Sequence, residues 1–127
     1  RRSSDLPGEG YFLQPTAVKV RSEESTLMRE ETFGPVCSFI GYRSEEEALA
    51  RINASPYGLA ASVWSDNIRQ ALRYSEAIEA GIVWVNMHTF LDPAVPFGGM
   101  KGSGIGREFG SAFIDDYTEL KSVMVRY

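Results

Sequence analysis

The chain has 127 residues, of which 43% are hydrophobic and 24% charged, and a formal net charge of -4. That length and composition suit one globular domain with a core, while the negative balance, with neither a long basic run nor a bilayer-length apolar stretch, argues against nucleic-acid and membrane partners. A single cysteine rules out an internal disulfide, and together with a single histidine it leaves too few soft ligands for a structural zinc site, so no metal is expected.

Arg1 to Gly10 is polar, carries Pro7, Gly8 and Gly10, and reads as a loop or frayed end. Tyr11 to Val20, rich in aromatic and β-branched residues and interrupted by Pro15, predicts an extended strand or an edge strand bent at the proline. Arg21 to Ser25 is a solvated turn in which Glu23 and Glu24 are plain surface charges. In Glu30-Glu31-Thr32-Phe33-Gly34-Pro35-Val36 a carboxylate could accept hydrogen bonds from the two hydroxyls of a ribose, and an aromatic ring two residues on could pack against a flat heterocycle. On the residues alone the plainer reading is favoured, with Glu31 capping a turn and Phe33 in the core. Cys37 sits in the short apolar strand Val36 to Tyr42, where a free cysteine acts as a small hydrophobe.

Ser44 to Asn53 opens with a capping serine and a glutamate three positions on, then carries Ala48, Leu49 and Ile52 at helical spacing, as a surface helix does. Asn53-Ala54-Ser55 fits a glycosylation sequon, a chance match with Pro56 following. Tyr57-Gly58 ends that unit. Leu59 to Trp64 reads as a buried strand, Asp66 as the cap of a helix from Asn67 to Ala80 with Ile68, Ala71, Leu72 and Ile78 inward, and Ala80 to Asn86 as a second buried strand. The expected fold class is α/β: a partial Rossmann-like parallel sheet covered by helices, with a C-terminal extended strand. Open sheets of this kind bind ligands outside the carboxyl ends of their strands, which directs attention to the loop from Asn86 to Val95. His88 in that loop is either a catalytic base or a hydrogen-bonded loop residue, and Asp92-Pro93 is a turn.

Pro96 to Glu108, PFGGMKGSGIGRE, holds five of the chain's 12 glycines, a density that implies a tightly shaped loop. Three phosphate and nucleophile motifs fail on spacing. Gly102 follows Lys101 where a Walker loop needs Ser or Thr, Arg107 stands where a dinucleotide fingerprint needs its last glycine, and Lys101 stands where a nucleophile elbow around Ser103 needs its first. A turn that lets a strand pass closely under a helix remains as the structural alternative. Arg107 to Ile114 then predicts a short helix, and Thr118 to Tyr127 a strand with one solvated face, its alternation imperfect.

EETFGPV (30 to 36), YGLAASVW (57 to 64), AGIVWVN (80 to 86) and PFGGMKGSGIGRE (96 to 108), with GYFLQPT (10 to 16) and YTELKSVMVRY (117 to 127), resemble in order and spacing the C-terminal part of the NAD(P)-dependent aldehyde dehydrogenase superfamily. The resemblance implies a catalytic-domain portion over residues 1–116 and an oligomerisation strand over 117–127. It implies that Glu31 holds the nicotinamide ribose of NAD or NADP and that Phe33 contacts the nicotinamide side. It further implies that His88, Thr89, Phe90 and Leu91 tune which aldehyde fits, and that Phe97 lies near the junction of substrate tunnel and nicotinamide. The apolar side chains Phe90, Leu91 and Phe97 suggest an apolar or aromatic aldehyde.

In such enzymes a cysteine thiolate adds to the aldehyde, hydride passes to the nicotinamide, and water activated by a glutamate hydrolyses the thioester. Cys37 does not match the family's nucleophile, which lies upstream of EETFGPV in a segment of its own, so a thiol esterase built on Cys37 is disfavoured. The resemblance thus implies a cytoplasmic, homo-oligomeric parent enzyme of which these residues are a fragment, inactive and without tight cofactor binding when taken alone. A rival of a different class is a non-enzymatic module that self-associates through its terminal strand.

Overall fold

The computed structural model describes residues 10–127; the expected loop or frayed end, apart from Gly10, lies outside them. The chain divides into two compact units, Arg1–Ser44 and Glu45–Tyr127.

In the first unit the strand starts just past the proline, which has no N–H to give to a ladder: β1 spans Thr16–Lys19. It pairs in parallel with β2, Val36–Phe39, in the register Thr16↔Val36 to Lys19↔Phe39. Backbone bonds from Thr16 N to Pro35 O (2.8 Å) and from Val20 N to Phe39 O (3.0 Å) extend the pairing at both ends. Between the strands lies one helical turn not foreseen in the sequence, α1, Thr26–Arg29. Glu24 and Arg29 form an exposed ion pair at 2.6 Å, of little energetic weight in high dielectric. Cys37 does lie in β2, but its expected packing as a small hydrophobe is corrected: it is exposed. Side chains alternate along a strand, and the face that holds Cys37 and Phe39 is the open one, opposite Val36 and Ser38.

The second unit begins at α2, Glu45–Asn53, directly after Ser44, and buries Ala48. There follow β3 (Tyr57–Gly58), β4 (Ala60–Val63), α3 (Ile68–Ala77), β5 (Ile82–Val85), β6 (Met100–Lys101) and α4 (Phe113–Asp116). β4 and β5 pair in parallel, Ala60↔Ile82 to Val63↔Val85, with α3 as the crossover that a parallel connection requires. The α3 cap is Asn67 rather than Asp66. Its side-chain oxygen accepts from Gln70 N at 3.3 Å, satisfying one of the amides that a helix start leaves open.

Ala71 and Ile78 are buried, at 0% and 8% exposure, whereas Ile68 and Leu72 remain 54% and 50% exposed, so the four-residue inward face predicted for α3 is half realised. A two-stranded sheet is too narrow to cover the whole apolar stripe of a helix.

The fold is mixed α/β. Among the described residues the strands form three two-stranded sheets, β1-β2, β3-β6 and β4-β5, rather than one continuous parallel sheet. β3 and β6 are antiparallel because the glycine-rich loop doubles back onto Tyr57 and Gly58. The helix expected at Arg107 to Ile114 starts only at Phe113. Phe97 and Glu108 exchange backbone bonds of 2.7 Å in both directions, and Phe109 and Gly110 then take φ of 62° and 64°, outside the right-handed helical region. Thr118 to Tyr127, expected as a strand, carries no regular secondary structure and is exposed throughout. A strand is defined by its partner's ladder, and these residues pair with no other part of the described chain.

Candidate functional site

The glycine-rich loop is shaped by close backbone approaches. A Cβ on Gly81, at the mouth of β5, would collide with the carbonyl oxygen of Gly98, and a Cβ on Gly98 would come within 2.6 Å of Gly106 O. Only glycine fits such positions. Ser103 Oγ accepts from Gly58 N at 3.0 Å, and Arg107 Nη1 donates to Gly99 O (2.9 Å) and Gly106 O (2.6 Å). These bonds hold the loop in one shape beside a cleft of about 550 Å³, whose lining includes Leu59, Phe97, Ile105, Arg107 and Tyr117. Phe97 stacks at a tilt against Phe109, ring centres 6.5 Å apart.

The loop leaving β5 is pinned at several points. Asn86 adopts φ 54°, a conformation asparagine tolerates better than most residues. Its amide accepts from Ser65 N at 2.9 Å and donates to Ser65 O at 3.0 Å. His88 Nδ1 and Ser62 Oγ share a hydrogen bond of 2.6 Å, so His88 is a hydrogen-bonded loop residue whose δ nitrogen is engaged by a neutral hydroxyl. Trp84 meets His88 edge-on at 5.3 Å and donates its indole N–H to Phe90 O at 2.7 Å. Thr89, between these two anchors, sits at φ 56°, a costly conformation for a β-branched residue. Val95 N to Asp92 O and Ala94 N to Asp92 Oδ1, both 2.9 Å, form the expected turn at Asp92-Pro93.

Of the residues named from sequence, Glu31 and Phe33 belong to the first unit, on the connection from α1 to β2; His88, Thr89, Phe90, Leu91 and Phe97 belong to the second. Phe33 is not core: its ring is 92% exposed. The turn beside it is closed by Val36 N donating to Gly34 O at 2.8 Å. Phe90 and Leu91 are also exposed.

Sequence reasoning missed Ser62, Trp84 and Asn86 as loop anchors. The signal for Trp84 was available, since a buried indole N–H must find an acceptor; nothing marked Ser62. The sequon at Asn53 is structurally committed. Its amide donates to Ala77 O at 2.8 Å and accepts from Glu79 N at 2.9 Å, joining the ends of α2 and α3.

Among the described residues no helix is long and apolar enough to cross a membrane, and no group of three or more His, Cys, Asp or Glu is placed to hold a metal ion.

The model of the aldehyde dehydrogenase family matches residues 2–123. The chain is 46% identical over 117 residues to 2-hydroxymuconic semialdehyde dehydrogenase of Pseudomonas putida, covering 92% of this chain and 24% of that protein. It is 42% identical over 120 residues to phenylacetaldehyde dehydrogenase of Pseudomonas fluorescens, covering 94% and 24%. Among solved structures, the NAD+ complex of aldehyde dehydrogenase from Bacillus cereus superposes with a TM-score of 0.86 at 45% identity, over 94% of this chain and 24% of that one. The chain thus spans about a quarter of the length of these relatives.

Proposed function

The chain belongs to the aldehyde dehydrogenase family, and from that premise we propose that it is the C-terminal part of an NAD(P)-dependent enzyme oxidising an apolar or aromatic aldehyde to the carboxylic acid. The observation that carries the proposal is the likeness of 94% of this chain to about a quarter of a structure solved with NAD+.

The residues here fit a nicotinamide riboside. Glu31 supplies a carboxylate able to accept from both ribose hydroxyls, and the open ring of Phe33 supplies a face for a flat heterocycle. When bound, the nicotinamide supplies the acceptor for the substrate hydride. Glu31 would hold the ribose and fix the ring's position; Phe33 would keep water from one side of it.

His88, Thr89, Phe90 and Leu91 form the wall against which the aldehyde's side chain rests, with Phe97 at the inner end. The exposed rings and alkyl groups of Phe90 and Leu91 favour an apolar substrate. The nucleophile and the general base are assigned to parts of the enzyme outside these residues, so the 127-residue chain by itself would neither turn over nor bind cofactor tightly. The closing residues, with Leu120, Val123, Met124 and Tyr127 exposed, would pair with a second copy. The enzyme as a homo-oligomer follows from that pairing.

Reduced-cofactor absorbance tests the proposal. The full enzyme carrying this chain should form NADH or NADPH with phenylacetaldehyde or a straight-chain aldehyde, and the isolated chain should form none. Turnover by the isolated chain, or none by the full enzyme with any aldehyde, would overturn it.

A further inference from the structure

Ser62 and Trp84 face each other across the β4–β5 ladder as register partners, and both reach out of the sheet to the same short loop. Ser62 Oγ bonds His88 Nδ1 at 2.6 Å, and Trp84 Nε1 donates to Phe90 O at 2.7 Å. The intervening Thr89 is held at φ 56°, where a β-branched side chain crowds its own backbone, a conformation that persists only when its surroundings enforce it. The two anchors flank the strained residue directly on either side. Trp84 is 8% exposed, so its indole N–H is largely withdrawn from solvent and its bond to Phe90 O is not readily replaced by water.

We propose that Ser62 and Trp84 are positioning residues: together they clamp His88 and Phe90, fix Thr89 in its left-handed conformation, and so set which aldehydes the loop admits. The selectivity part rests on the functional reading above. The clamp itself rests only on geometry.

The two are separable by experiment. Hydrogen exchange of the Trp84 indole N–H, whose acceptor is Phe90 O on this loop, measured on the full enzyme, should speed up about 3- to 10-fold in Ser62→Ala, the weight of one lost hydrogen bond; Ser62→Thr, which keeps the hydroxyl, should stay near the parent rate. In the same variants the ratio of kcat/KM between a bulky aromatic and a short aliphatic aldehyde should shift several-fold in Ser62→Ala, through KM rather than kcat, and return in Ser62→Thr.

Trp84→Phe keeps the ring and removes the donor to Phe90 O, and should shift the same aldehyde ratio in the same direction. Unchanged exchange in Ser62→Ala overturns the clamp, and faster exchange with an unchanged aldehyde ratio overturns its role in selectivity. An unaltered enzyme that oxidises no aldehyde sinks the functional reading and the selectivity role with it, while the exchange rates still decide the clamp.

Discussion

Gly81 and Gly98 are pressed back to back, so closely that a methyl group on Gly81 would occupy the carbonyl oxygen of Gly98. The contact joins the mouth of β5, which leads to the loop from Asn86 to Val95, to the glycine-rich loop that carries Phe97. Backbone blocks backbone here, and no side-chain rotation can relieve the overlap. Gly81→Ala should therefore lower the urea midpoint by the equivalent of about 2–3 kcal/mol, the upper range for overpacking. Gly41→Ala, with open space around its added Cβ, should stay within about 0.5 kcal/mol. Equal midpoints for the two variants would contradict the close approach.

Asn53 joins two helix ends through its amide, and Lys101 Nζ donates to Asn53 O at 2.6 Å while pairing with Glu79 at 2.8 Å. Asn53→Ala leaves Ala77 O and Glu79 N without that partner. Thermal unfolding should show a loss of about 1–3 kcal/mol. Asn53→Asp, which keeps the acceptor for Glu79 N but sets a carboxylate against Ala77 O, should not recover the loss.

The helices α2 and α3 and the parallel pair β4–β5 were legible because hydrophobic periodicity acts locally: Ala48, Ala71 and Ile78 are buried as their spacing requires. The glycine loop was legible as tightly shaped, but not its course. The collision of Gly81 with Gly98 lies between positions that no local pattern connects. The exit helix was misjudged because Arg107 to Ile114 has helical spacing while the Phe97–Glu108 bridge forces Phe109 and Gly110 out of the helical region. Cys37 was read by residue type, which says nothing of which strand face a partner covers. Glu31 and Phe33 were named through family likeness; the bare residues favoured a core phenylalanine, and the ring is exposed.

Replacing Glu31 by glutamine in the full enzyme keeps an acceptor but removes the charge from any bond to the ribose hydroxyls. The KM for NAD or NADP should rise about 10-fold, the lower end of what a charge-assisted hydrogen bond contributes, with the aldehyde KM little changed. Phe33→Ala should lower kcat/KM for the cofactor in the same direction. A cofactor KM unmoved by Glu31→Gln would remove Glu31 from the site.

The exposed closing segment makes a prediction about assembly. Leu120 and Val125 are apolar and open; Leu120→Lys with Val125→Lys should convert the full enzyme to smaller species by light scattering, because like charges on paired edges repel. An unaltered mass would assign assembly to another surface.

The most direct measurement is a crystal structure of the full enzyme with NAD+ or NADP+ bound. The Glu31 carboxylate should lie about 3 Å from the nicotinamide-ribose hydroxyls, with Phe33 against the nicotinamide and Phe97 beside the reacting carbon. A ribose held by other groups, with Glu31 and Phe33 facing solvent away from the cofactor, would contradict it.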